Sequence, residues 1–244
     1  MILSITFAVS ALTVIFAVCY YRSVNRSEDP RIYNARKILT LFDSKGNNMS
    51  VVEAFNYLDS AFIIFDTLPD YKNSFEKGII YNNKCSVLLM KALYDSTIAE
   101  NEKSTLLNLS LKYCDSSISV YKGWIKEWST LSEKEIREMI VPGMKENQEA
   151  FEGLNFDKIL NRRVRNIITA QIETPRRLSV SLTNKGTIYR HMMLADSALY
   201  CYQNALSLWK DNRTAESNLS VLLGGEPVKP NLIESLFPPD KNKK

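Results

Sequence analysis

The chain has 244 residues, 31 Lys and Arg against 27 Asp and Glu, and a formal net charge of +4. That length bounds one sizeable domain, and so mild a positive balance argues against nucleic acid as a partner, since a nucleic-acid binder carries a strongly basic stripe. Only eight Gly and eight Pro are present, and the alternating β-branched runs of a sheet protein are missing. Apolar residues recur instead at spacings of three and four, which predicts an all-α fold.

Met1 to Tyr21 carries no charged side chain and is dominated by Leu, Ile, Val, Phe and Ala. About 20 apolar residues in a helix match the hydrocarbon thickness of a bilayer, so residues 1–21 are expected to be a transmembrane anchor in contact with lipid. A cleavable leader begins with basic residues and ends on small ones. Here no Lys or Arg precedes the run, and Val18-Cys19-Tyr20-Tyr21 offers no cut site. Arg22, Arg26, Arg31, Arg36 and Lys37 follow it. The positive-inside tendency therefore predicts a single-pass protein of a bacterial-type inner membrane with its body in the cytoplasm. A body on the periplasmic or outer side is the alternative. Residues 22–30 read as a juxtamembrane linker.

The body then reads as a series of helices. Glu28-Asp29-Pro30 predicts a helix start, with the helix running to about Asp43. Ser44 to Asn48 is a turn. Ser50 caps a second helix that ends before Pro69. A third is expected over 74–99 and a fourth over 104–130. Ser132 and Glu135 form a capping box for a short helix that stops before Pro142, and Pro142-Gly143 breaks it. A further helix covers 156–173, and Thr174-Pro175 starts the next. Its partner begins near Asp196. A last helix over 213–223 stops at Gly224-Gly225. The tail, 226–244, holds four Pro and a small apolar patch at Leu232, Ile233, Leu236 and Phe237. It is expected to be flexible.

The four cysteines do not suggest a disulfide framework. Cys19 lies in the apolar segment, which leaves an odd, unclustered set of Cys85, Cys114 and Cys201. Such a set reads as small buried residues at helix contacts.

The helices are self-similar. Asp59-Ser60-Ala61, Asp115-Ser116-Ser117 and Asp196-Ser197-Ala198 share one pattern, followed four residues later by Phe65, Tyr121 and Tyr202. Upstream, Asn83-Lys84-Cys85 matches Asn184-Lys185-Gly186, with Leu88 and Tyr189 three residues further on. A small residue lets two antiparallel helices approach, and the aromatic fills the groove beside it. One hairpin cannot bury its own apolar face, so repeated hairpins stack into a solenoid.

Gly186, Tyr189, Ala198, Tyr202 and Ala205 stand at the spacing of a tetratricopeptide (TPR) repeat over about 180–212, and this segment resembles that family. Two further repeats are degenerate. One would pair Asn34 with Ala61 and the other Asn83 with Ser117, both farther apart than the 14 residues from Asn184 to Ala198. Lys210 stands where the family's terminal Pro usually does. The region 132–173 does not fit the pattern. The resemblance implies a TPR-like helical-hairpin solenoid over 31–225, irregular over 132–173, whose groove binds a partner protein or peptide.

In similar solenoids an Asn at the place of Asn34, Asn83, Asn184 and Asn218 faces the groove, where its amide can both donate to and accept from an extended backbone. Such residues can also tie helices together or face water. Arg162, Arg163, Arg165, Arg176 and Arg177 form a second candidate surface. It suits acidic side chains through bidentate pairs, anionic lipid near the anchor, or plain solvation. No Walker loop, His-Glu-x-x-His or Gly-x-Ser-x-Gly motif occurs, and His191 is the single histidine. The reading is therefore a non-enzymatic scaffold or adaptor without metal or cofactor, its oligomeric state left open. A structural subunit of a larger membrane, assembly or secretion complex is the alternative.

Overall fold

The computed structural model describes residues 27–46 and 49–228. The expected anchor, residues 1–21, and the tail beyond Val228 lie outside them. Among the described residues all regular structure is helical, with no strand, and no helix is long and apolar enough to cross a membrane. The α-helices are α1 (Tyr33–Lys45), α2 (Val51–Thr67), α3 (Phe75–Tyr94), α4 (Glu100–Trp128), α5 (Glu133–Lys145), α6 (Phe156–His191), α7 (Ala195–Leu208) and α8 (Arg213–Leu222). Short 3-10 turns occupy Pro30–Ile32, Pro69–Tyr71 and Gln148–Phe151.

Local chemistry sets the helix starts. Ser50 Oγ accepts from the Glu53 N–H at 3.1 Å, capping α2. Ser132 and Glu135 make the reciprocal capping box at the start of α5. Two helix ends differ from expectation. Pro142 does not stop α5, and Pro175 does not start a new helix but lies inside α6. In both, buried residues continue at helical spacing through the proline. Ile136, Ile140 and Met144 do so in α5, and Ile167, Ala170, Thr174, Leu178 and Leu182 in α6. Burial of that continuous stripe outweighs the one backbone hydrogen bond each proline removes.

The described residues form two compact units. The first comprises 27–74 and 126–172, and the second 75–125 and 173–228. Residues 132–172, which fit no repeat, fold with the α1–α2 hairpin in the first unit. Ala35 of α1 and Ala61 and Phe65 of α2 are fully buried there. The ion cluster of Asp29, Arg31 and Asp70 holds the beginning of the described chain. Arg31 sends Nε and one terminal N–H to Asp29 at 3.0 and 2.7 Å, and both terminal nitrogens to Asp70 at 3.1 and 2.7 Å. It also donates to the Gly143 carbonyl at 3.3 Å. Burial works against the Arg31 charge, but the bonds and charges of Asp29 and Asp70 outweigh it and raise its pKa. Gly143 is required here for closeness, since a Cβ at that position would come within 2.8 Å of the Asp70 Cβ.

The second unit is built on a contact that occurs twice. A Cβ on Gly186 would meet the Tyr202 ring at 2.5 Å, and a Cβ on Gly78 would meet the Tyr121 ring at 2.4 Å. Ser117, Ala198 and Ala205 are fully buried, and Tyr121 and Tyr202 nearly or wholly so. The α3–α4 hairpin therefore repeats the α6–α7 hairpin with longer arms. Gly78, not Cys85, is the counterpart of Gly186, which corrects the register expected from Asn83-Lys84-Cys85.

Candidate functional site

The polar groups of the second unit converge where α3, the C-terminal part of α6, and α8 come together. Asn82 Oδ1 accepts from Ser181 Oγ at 2.9 Å and from Asn184 Nδ2 at 3.1 Å. Asn184 Nδ2 also donates to Ser86 Oγ at 3.2 Å. One turn along α6, Thr187 Oγ1 accepts from Asn218 Nδ2 of α8 at 3.1 Å. All of these except Ser181 are half-buried, so they border solvent. Each asparagine thus commits half its amide to a neighbouring helix. Among the described residues, Asn82 Nδ2, Asn184 Oδ1 and Asn218 Oδ1 make no further hydrogen bond. Helices α3, α6 and α8 present a donor and two acceptors along one seam, the complement of an extended peptide backbone.

The predicted asparagines are only partly brought together. Asn184 and Asn218 belong to the seam. Asn83 is half-buried on α3, next to the Asn82 that makes the contact, and Asn34 is exposed on α1 of the first unit. A register of α3 set on Cys85 passes over Asn82 and Ser86. The signal was present: Lys77-Gly78-Ile79-Ile80-Tyr81 and Lys185-Gly186-Thr187-Ile188-Tyr189 differ at one position. Ile80 and Ile188 are both fully buried, and Tyr81 and Tyr189 are both half-buried. Lys185 pairs with Asp115 at 2.6 Å, joining α6 to the Asp-Ser-Ser motif of α4.

Asn212 is a further residue that the sequence did not single out as structural. It is 3% exposed; its Oδ1 caps α8 by accepting from the Ala215 N–H at 3.1 Å. Its Nδ2 donates to Ser179 Oγ at 2.8 Å and Thr183 Oγ1 at 2.9 Å. Asn212 therefore ties the start of α8 to α6.

The arginines do not form one exposed cluster. In the first unit, Arg163 is 4% exposed and its guanidinium carbon lies 4.0 Å from the centre of the Tyr71 ring, a cation–π contact. Arg162 donates to Ser27 Oγ at 3.1 Å, and Arg165 is exposed. Arg162 and Arg163 line a narrow recess with Ser27, Glu28 and Arg36, and within it Arg36 pairs with Glu28 at 2.9 Å. In the second unit Arg176 pairs with Glu173 at 2.7 Å on the same helix, and Arg177 sits 5.1 Å from the Phe75 ring centre. His191 is the last residue of α6, where partial burial and the charges of Arg190 and Lys103 lower its pKa. Among the described residues, no group of three or more His, Cys, Asp or Glu side chains is placed to hold a metal ion. Compared with models of known protein families, with curated proteins and with solved structures, the chain matches none of them.

Proposed function

We propose that this is a membrane-tethered interaction protein whose second unit, a pair of TPR-like hairpins, binds an extended peptide segment of a partner protein along Asn82, Asn184 and Asn218. The observation that supports the reading is the seam itself. Its amides are oriented by helix-to-helix bonds at one end and left available at the other, so a peptide meets groups that need no reorganisation. Recognition through backbone groups is tolerant of the peptide's sequence, which suits a scaffold or adaptor. Residues 1–21 would hold the complex at the bilayer, and tethering raises the local concentration of whatever is bound without adding a contact. The chemistry requires no cofactor, and no catalytic step is part of it. The alternative, a permanent structural subunit of a membrane or envelope complex, draws on the exposed Met193, Tyr200 and Leu223 of the second unit.

Asn82→Asp is the informative variant. It keeps the oxygen that accepts from Ser181 and Asn184 but replaces the free Nδ2 donor with a second oxygen. Full-length wild type and variant are crosslinked in native membranes, and the captured partner is quantified by mass spectrometry. Capture is expected to fall roughly five- to tenfold, the equivalent of one hydrogen bond, with helicity by circular dichroism unchanged. Equal capture by the two proteins sinks the peptide-groove reading.

A further inference from the structure

Past α8 the chain folds back on the helix it has just left. Gly224 turns it at φ +83°, in the left-handed region, and the Gly225 N–H returns to the Ser220 carbonyl at 2.9 Å. A Cβ on Gly225 would come within 2.7 Å of Ser220 Oγ, so glycine is required there for closeness. Ser220 Oγ donates to the Glu226 carbonyl at 2.7 Å, and the Val228 N–H donates to Ser217 Oγ at 3.2 Å. Residues 226–228 therefore run back along α8 from Ser220 to Ser217, with Val228 half-buried. Ser217 is the neighbour of Asn218, whose Nδ2 is held by Thr187 of α6. The backbone is thus delivered to the α8 end of the asparagine seam.

Resting on the reading of that seam as a peptide groove, we propose that the segment Lys229 to Phe237 is its resident ligand. It lies in cis across the Asn218–Asn184 end and donates backbone N–H groups to the two Oδ1 atoms. Reach allows this. Packed helices lie about 8–10 Å apart, and three extended residues span roughly 10 Å, so 229–231 carry the backbone from α8 to α6. The chemistry matches as well. Asn184 Oδ1 and Asn218 Oδ1 make no further hydrogen bond among the described residues, and Asn231, Leu232 and Ile233 supply N–H donors. A residue before proline is biased to extended backbone, and Glu226-Pro227 and Lys229-Pro230 set that bias on both sides of Val228. Leu232, Ile233, Leu236 and Phe237 place four apolar side chains in six positions, a density that favours a protein surface over water.

Asn82 lies beyond this reach, on α3, and stays open. A partner peptide therefore meets a half-filled seam and must displace the tail to engage Asn184 and Asn218. A short tether gives an effective concentration of about 1 mM, so an intrinsic affinity tighter than about 0.1 mM fills that end more than roughly nine-tenths of the time.

The test uses a fluorescein-labelled synthetic peptide of residues 229–237 and two chains in detergent, the full-length protein and one ending at Val228. Circular dichroism checks that their helicity agrees. By fluorescence anisotropy the shortened chain is expected to bind the peptide with Kd below about 0.1 mM. The full-length chain should bind it at least roughly tenfold more weakly, because its own tail holds the place. Asn82→Asp should leave the affinity of the shortened chain for the peptide unchanged. In the intact chain, whatever the truncation does to folding, Leu232→p-benzoylphenylalanine is expected to crosslink on irradiation to residues 180–190 or 213–222 of the same chain. No binding by the shortened chain, equal binding by the two chains, or crosslinks only to another copy, to lipid or to the first unit overturn the tail as occupant. Partner capture by Asn82→Asp is a separate readout. Its fall beside any of these failures leaves the groove standing without its resident ligand, and equal capture removes the groove itself.

Discussion

Gly78 and Gly186 each face a tyrosine ring at a distance no Cβ can share, and this gives the repeat its energetic content. Glycine inside a helix costs about 1 kcal/mol relative to alanine, so its presence at both positions has to be offset by packing. Gly123 of α4 is a natural control, since a Cβ there meets nothing within 4 Å. Gly78→Ala and Gly186→Ala are expected to lose roughly 1–2 kcal/mol each, the overpacking cost less the gain in helix propensity. Gly123→Ala should gain up to about 1 kcal/mol. Urea denaturation measures all three, and equal behaviour of the three variants contradicts the glycine–tyrosine contact. Only part of this was legible beforehand. Cys85 lies seven residues from Gly78, nearly two helical turns, so both occupy the same face and periodicity cannot choose which one meets Tyr121. The match of Lys77 to Tyr81 against Lys185 to Tyr189, identical at four of five positions, does choose.

At the level of elements, the helix beginnings were readable and the ends were not. Ser50 and the Ser132–Glu135 pair act on N–H groups within three residues of themselves. Pro142 and Pro175 were read as breaks, yet both helices continue because their buried stripes continue. The turn between α6 and α7 carries an identifiable strain. Met193 has φ +63°, in the left-handed region, and is 88% exposed. It occupies the position after a helix where glycine is usually found, and the Leu194 N–H reaches back to the Tyr189 carbonyl at 2.9 Å. Met193→Gly removes the Cβ penalty and sacrifices no burial. It should stabilise by about 0.5–1 kcal/mol, seen as a melting temperature higher by roughly 2–3 °C. A lower melting temperature means that the Met193 side chain makes a contact that matters more than the strain.

For the whole molecule, the proposed tether is separable from the proposed groove. A chain lacking residues 1–21 is expected to leave the membrane fraction for the supernatant while keeping the helicity of the body. If it stays in the membrane pellet, the body attaches by other means and the tethering model fails. The all-helical character, the Ser50 and Ser132 caps and the small-then-aromatic pairs Ala61–Phe65, Ser117–Tyr121 and Ala198–Tyr202 were determined by the sequence, because each depends on residues within about one helical turn. Tertiary structure alone decided that Arg163 is buried on Tyr71, that Asn82 and not Asn83 meets Asn184, and that the Cys114 thiol meets the Ser181 carbonyl. It also decided that Gly143 serves close contact with Asp70, where Arg31 reaches its carbonyl across 112 positions of chain. Those outcomes rest on which distant surfaces meet, and a local pattern constrains a helix face without naming the partner that will cover it.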